Sequence, residues 1–97
     1  MIVTIEQLRR QLRLGDKNSA FDADLTHLAK VGEAWALRTT RRTLLELMEM
    51  GGGIIPPEVV NAVLTYCAYL FKHPEGETTE TLSPFNAYTQ LKPFIKL

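Results

Sequence analysis

IPPEVVNAVLTYCAYLFKHP, residues 55–74, reads as the axis of the molecule. Pro57 suits the first turn of a helix, where its missing N–H has no partner inside the helix anyway, and Pro74 closes the segment. Between them Glu58, Asn61, Thr65 and Lys72 fall, at about 100° per residue, within a stripe of roughly 60°. Every other direction presents Val, Ala, Leu, Tyr, Cys or Phe. A helix over 57–73 is about 25 Å long, too short and too interrupted to span a membrane, so it is expected at the centre of a core.

The segments on either side are read as its cover. Thr4 caps a first helix, with Gln7 completing a capping box and Val3 placed to staple against Leu8. Ile5, Leu8 and Leu12 make its apolar face, Arg9, Arg10 and Arg13 give a basic one, and Gly15 is expected to stop it. Asn18 or Ser19 can cap the next helix, expected over 20–39, where Phe21, Leu25, Leu28, Gly32 and Trp35 keep one face. Gly32 within that stripe reads as a place where another helix crosses closely.

Arg38, Arg41 and Arg42 gather where the second helix ends and suit its C-terminal dipole. Thr43 caps a short third helix, LLELMEM, ended by the hinge-like connector Gly51, Gly52 and Gly53, which is no phosphate loop because no Gly-Lys-Ser/Thr follows. Residues 75–83, EGETTETLS, read as a mobile loop. In the closing PFNAYTQLKPFIKL, Phe85, Tyr88 and Leu91 stand at helical spacing before Pro93, so this apolar tail must dock somewhere. The expected fold is all-α: one domain over 1–97, a bundle of about four to five helices around residues 57–73, with a C-terminal docking tail.

Composition narrows function. Eleven basic residues cancel eleven acidic ones in 97 residues, so the chain lacks the positive field that captures nucleic acid by charge alone. With Cys67 the single cysteine, neither an intrachain disulfide nor a thiolate zinc cluster can form; a soluble chain from a reducing compartment, without a secretory leader, is expected. His27 and His73 form no HxxxH or HExxH pattern and read as a surface residue and a dipole partner. Cys67 reads as a small buried hydrophobe, and Asp22 and Asp24 as charges favoured near a helix N-terminus. Tyr66, Tyr69 and Phe71 read as core packing rather than a platform for bases. No catalytic, metal or cofactor site is expected.

The order of signals carries one further reading. A short capped helix precedes a long one ending in Thr40-Arg41-Arg42-Thr43-Leu44; a glycine-ended segment leads to Ile55-Pro56-Pro57-Glu58 and Asn61-Ala62-Val63-Leu64. Tyr69-Leu70-Phe71-Lys72-His73-Pro74-Glu75 follows, and Leu91-Lys92-Pro93-Phe94 closes the chain. Over nearly its whole length this resembles the tailed-phage head-tail connector family, also called DNA-packaging or adaptor proteins. The resemblance implies a virion structural protein or its prophage copy, without catalytic site or cofactor, forming a ring between portal and tail with DNA passing through the lumen. Its implied partners are its own copies, the portal protein and tail or head-completion proteins, with only transient, non-specific proximity to DNA and no membrane. Its implied place is the head-tail junction of the virion, and the bacterial host cytoplasm during assembly or as a prophage product. Arg41-Arg42 stands where a Gly-Arg pair is common in that family, and the segment before Pro56 is short where some relatives carry an insertion with strands.

Ring closure needs a heterologous interface. The residues expected there are Leu37, Arg41, Arg42, Leu44, Leu47, Met48, Phe85, Tyr88, Leu91 and Phe94, with the rest of the Leu44–Met50 segment and the 75–83 loop. The competing reading folds Phe85, Tyr88, Leu91 and Phe94 back onto their own core, and the two are compatible in part. A second function class is a small helical DNA-binding regulator of helix-turn-helix type, against which LLELMEM offers Glu46, Glu49 and methionines rather than base-reading side chains.

Overall fold

The structure, a computed structural model, describes residues 2–14, 21–72 and 85–96, and within the last range the side chains of 85 and 86 are outside the description. In chain order it contains α1 (Ile5–Gln11), α2 (Asp22–Thr40), α3 (Leu44–Met50), α4 (Pro57–Lys72) and α5 (Phe85–Leu91), followed by a 3₁₀ turn over Lys92–Phe94. The protein is all-α, and no strand occurs among the described residues. The expected bundle around the proline-opened helix is what forms: α4 packs against α5, α2 and α1. His73, the last residue of the expected central helix, lies outside the described residues, as do Pro74 and the 75–83 loop.

The start of α1 is the expected capping box. Thr4 Oγ1 accepts from Gln7 N–H at 3.1 Å while Thr4 N–H donates to Gln7 Oε1 at 2.8 Å. Val3 and Leu8, the two staple positions, are both fully buried. The C-terminus corrects the expectation. The helix is over at Gln11, and Arg13, not Gly15, makes the reversal with φ 60°. Leu14 N–H donates to Arg9 C=O at 2.8 Å and Arg13 N–H to Arg10 C=O at 3.2 Å, the paired bonds of a Schellman turn. Gly15 itself lies outside the described residues.

The start of α2 differs as well. Its N-cap is Phe21, which makes no side-chain capping bond, so neither Asn18 nor Ser19 occupies the cap position. Asp22 is more than a dipole partner: its carboxylate accepts from the Arg9 guanidinium and ties α2 to α1. Further along, Leu25, Ala29, Gly32, Trp35, Ala36 and Thr40 are the buried residues of the helix. Gly32 is the crossing point with α4, since a Cβ there would meet Cys67 Sγ at 2.7 Å and Val63 Cγ1 at 2.9 Å. The Trp35 ring stacks on Tyr66 of α4, with centroids 4.2 Å apart and planes inclined by 2°. Phe21 meets Phe71 edge-on at 5.5 Å, so these aromatics pack between helices as expected.

Thr43 caps α3 and Glu46 reciprocates from N3, a second capping box. The glycines after α3 form a hydrogen-bonded turn rather than an open connector: Gly53 N–H reaches Met48 C=O at 2.8 Å and Gly52 N–H reaches Glu49 C=O at 3.2 Å. Glycine is required at 51, because a Cβ there would lie 1.9 Å from the Ile54 carbonyl oxygen. The chain then enters α4, whose Val59, Ala62, Val63, Cys67 and Leu70 are buried while Glu58, Asn61 and Lys72 of the polar stripe are exposed. At the other end the tail settles on its own core. Ala87 and Leu91 are fully buried, Asn61 Nδ2 donates to Gln90 Oε1 at 2.6 Å across α4 and α5, and Lys96 N–H donates to Thr40 C=O at 2.8 Å.

Candidate assembly surface

Eight of the ten residues expected at an interface divide into three groups. Leu47 and Leu91 have no exposed surface and belong to the core; a seven-residue helix and a seven-residue tail helix each need one large aliphatic anchor, and these are the anchors. Both are removed from the expected interface. Leu37, Leu44 and Phe94 are half-buried against that same core. Arg41, Met48 and Tyr88 keep access to solvent, Tyr88 at 39% exposure with the Lys92 ammonium 5.7 Å from its ring centroid. The side chain of Phe85 and the 75–83 loop lie outside the described residues. For Leu91 and Phe94 the competing fold-back reading therefore holds.

Arg42 also turns inward on its own chain. Its Nε donates to Phe94 C=O at 2.6 Å, and its Nη1 stands 4.0 Å from Glu46 Oε2. Lys96 Nζ approaches the same Glu46 oxygen at 3.5 Å. The Thr43 N–H, bonded to Glu46 Oε1 at 3.0 Å, is the main cause that holds this carboxyl below its ordinary value; a smaller burial effect opposes it and Lys96 assists it. This corner joins the end of α2, the start of α3 and the C-terminal segment, 52 residues apart in sequence. Arg41 has φ 59°, the left-handed conformation that glycine adopts without a Cβ penalty, at the place where the family resemblance expects glycine.

What faces outward was only partly foreseen. Leu45 is 64% exposed, Ile54 65% and Met50 44%, and all three belong to α3 and the turn that follows it. Leu45 and Met50 lie in the segment expected at an interface; Ile54 had no part in that expectation. An Ile-Ile pair after three glycines was the available signal, because only one of two adjacent residues can face the core there, and Ile55 is the half-buried one. Among the described residues the helix makes no extensive contact with another helix; Leu47 is its fully buried residue and Leu44 is half-buried against the core. Gln7, Arg10 and Gln11 of α1 and Leu64 of α4 line an open hollow of about 300 Å³.

The remaining chemical candidates stay apart. His27 is exposed on α2, whereas Cys67 is fully buried, its thiol donating to Leu28 C=O at 3.2 Å, and burial pushes that thiol up to about 12. Among the described residues no three His, Cys, Asp or Glu side chains come together in a way that could hold a metal ion, and no helix is long and apolar enough to cross a membrane. In comparison with known proteins, no family model, no curated protein and no solved structure matches the chain.

Proposed function

We propose that the chain is a structural subunit of a phage or prophage head-tail connector, a ring of identical copies between the portal and the tail through which DNA passes. One observation carries the reading: α3 and its turn present Leu45, Met50 and Ile54 to solvent from a domain whose core is already complete without them. Large aliphatic side chains gathered on one outlying element are what an assembly surface needs. The order of capped helix, long helix, glycine-ended helix and proline-opened apolar helix, which resembles the connector family, supports the same reading. The portal protein and the tail or head-completion proteins are its proposed neighbours, and contact with DNA is passing and non-specific.

Exposed Arg38 and Arg41 beside the three-residue turn between α2 and α3 favour the helix-turn-helix regulator as a second reading. The acidic Glu46 and Glu49 on α3 oppose it, because a recognition helix must approach phosphates. Deleting the gene in the strain that encodes it tests the connector reading. DNA-filled heads and free tails should replace joined particles, and the chain supplied in trans should restore joining. Unchanged particles that never contain the chain would contradict the proposal.

A further inference from the structure

The C-terminal segment crosses the joint between α2 and α3 and is bonded to both sides of it. Lys96 N–H donates to Thr40 C=O at the end of α2 at 2.8 Å, Phe94 C=O accepts from Arg42 Nε within the joint at 2.6 Å, and Lys96 Nζ stands 3.5 Å from Glu46 Oε2 on α3. The segment is lightly buried: Phe94 and Ile95 are half-buried and Lys96 is exposed. α3 is lightly held in turn. Leu47, with the half-buried Leu44 one turn before it, seats one side of the helix, and among the described residues no other helix makes an extensive contact with it. The turn at each end of α3 contains left-handed backbone: Arg41 at φ 59° before it, and Gly52 and Gly53 at φ 72° and 109° after it. A Cβ at either glycine would meet nothing within 4 Å, so the second turn has open space around it.

We propose that residues 94–96 are a latch on α3. With the latch fastened, α3 is fixed; with it released, α3 opens as one unit between its two turns while the core of α1, α2, α4 and α5 stays folded. The two parts are anchored unequally. α2 and α4 share the Gly32 crossing and the Trp35–Tyr66 stack, so they open only with the whole domain. α3 has one fully buried side chain, and Glu46 is the residue through which the C-terminus holds it. Segments with few buried apolar contacts are the ones that open locally. Leu45 and Met50 ride on α3 and Ile54 on the turn after it. Whatever draws the C-terminal segment away from Thr40 and Arg42 therefore changes how that aliphatic surface is presented, without touching it. The latch follows from the fold alone and stands whether or not the chain forms a ring.

Hydrogen exchange of the full chain, followed by mass spectrometry, tests both halves of the proposal. In urea kept below the unfolding midpoint, amides of 59–70 on α4 should exchange steeply faster as urea rises, whereas those of 47–53 should respond weakly, because a local opening exposes little surface. Equal urea slopes in the two stretches would mean that α3 opens only with the whole domain and would overturn the latch. Lys96→Pro then releases the C-terminus. Proline has no N–H for Thr40 C=O and no ammonium for Glu46, and Ile95, at φ −71° and ψ 129°, already has the extended backbone that a following proline requires. Amides of 47–53 should exchange about tenfold faster in this variant, and an unchanged rate there overturns the coupling of α3 to the C-terminus. If Lys96→Pro does not fold, Lys96→Met, which keeps the backbone bond and removes only the ammonium, should speed the same amides about twofold, and no rise there overturns the coupling equally.

Discussion

Gly32 of α2 and Cys67 of α4 touch so closely that a Cβ on the glycine would lie 2.7 Å from the sulfur. Val63 Cγ1, at 2.9 Å, closes the other side. Both neighbours are fully buried; valine has one strongly preferred χ1 rotamer in a helix, and the cysteine thiol is held by its bond to Leu28 C=O at 3.2 Å. This contact sets how near the two longest helices approach.

Gly32→Ala therefore opposes two effects of similar size. Alanine gains about 1 kcal/mol in helix propensity over glycine. Overpacking a tight interior costs about 1–3 kcal/mol, and with two contacts under 3.0 Å the cost prevails. Thermal unfolding should show a net loss of about 1 kcal/mol, a fall in Tm of about 4–8 °C for a domain of this size. Adding Cys67→Ala should recover part of the loss in a non-additive way.

Cys67 gives the fold a dependence on alkaline pH. Its thiol is raised in the folded state to about 12 from an ordinary 9.0 because burial disfavours the thiolate. Above pH 9 the unfolded chain releases this proton while the folded chain keeps it, so stability falls as pH rises toward 12, by at most about 1.4 kcal/mol per pH unit. Denaturant unfolding at pH 8, 9 and 10 should show a steeper decline in the native chain than in Cys67→Ala. A thiol reagent should label the native chain only at the rate at which it unfolds.

The corner of Arg42, Glu46 and Lys96 makes the acid side measurable. Glu46 is held below its ordinary value, so its charge stabilises the fold above the normal carboxylate range and that contribution is lost as pH falls through the lowered value. Glu46→Gln keeps the capping geometry and removes the charge, so its unfolding midpoint should change less between pH 6 and pH 3 than that of the native chain. Arg42→Ala loses the bond to Phe94 C=O and should cost about 1–2 kcal/mol. Arg41→Gly should instead stabilise by about 1 kcal/mol, because it relieves a non-glycine residue at φ 59°.

Two residues of α3 on either side of Glu46 should, on the connector reading, separate folding from assembly. Leu47→Ala empties a fully buried site and should cost about 2–5 kcal/mol in urea unfolding. Leu45→Ser, at 64% exposure, should change stability by less than about 0.5 kcal/mol and yet impair ring formation.

Local signals were legible in the sequence, and contacts between distant residues were not. The capping boxes need only Thr4 with Gln7 and Thr43 with Glu46, three residues apart, and α4 announces itself by its prolines and its narrow polar stripe. Gly32 could be read as a crossing because it interrupts an otherwise apolar face. The ion pair between Arg9 and Asp22 joins two helices, and no local pattern selects Asp22 over Asp24 as the partner. Arg42 could be read as a dipole partner, but its bond to Phe94 depends on where the tail docks. In LLELMEM five of seven residues are apolar, so periodicity could not choose Leu47 as the inward residue and Leu45 as the outward one. The left-handed Arg13 carries no composition signal, because arginine is not a residue expected to end a helix this way.

Electron microscopy of the purified chain mixed with the portal protein encoded in the same genome is the sharpest test of the connector reading. A closed ring of added density should appear on one face of the portal, coaxial with its channel, and should be lost with Leu45→Ser. Portal particles without added density, together with a salt-sensitive mobility shift of duplex DNA by the chain alone, would contradict it and favour the regulator.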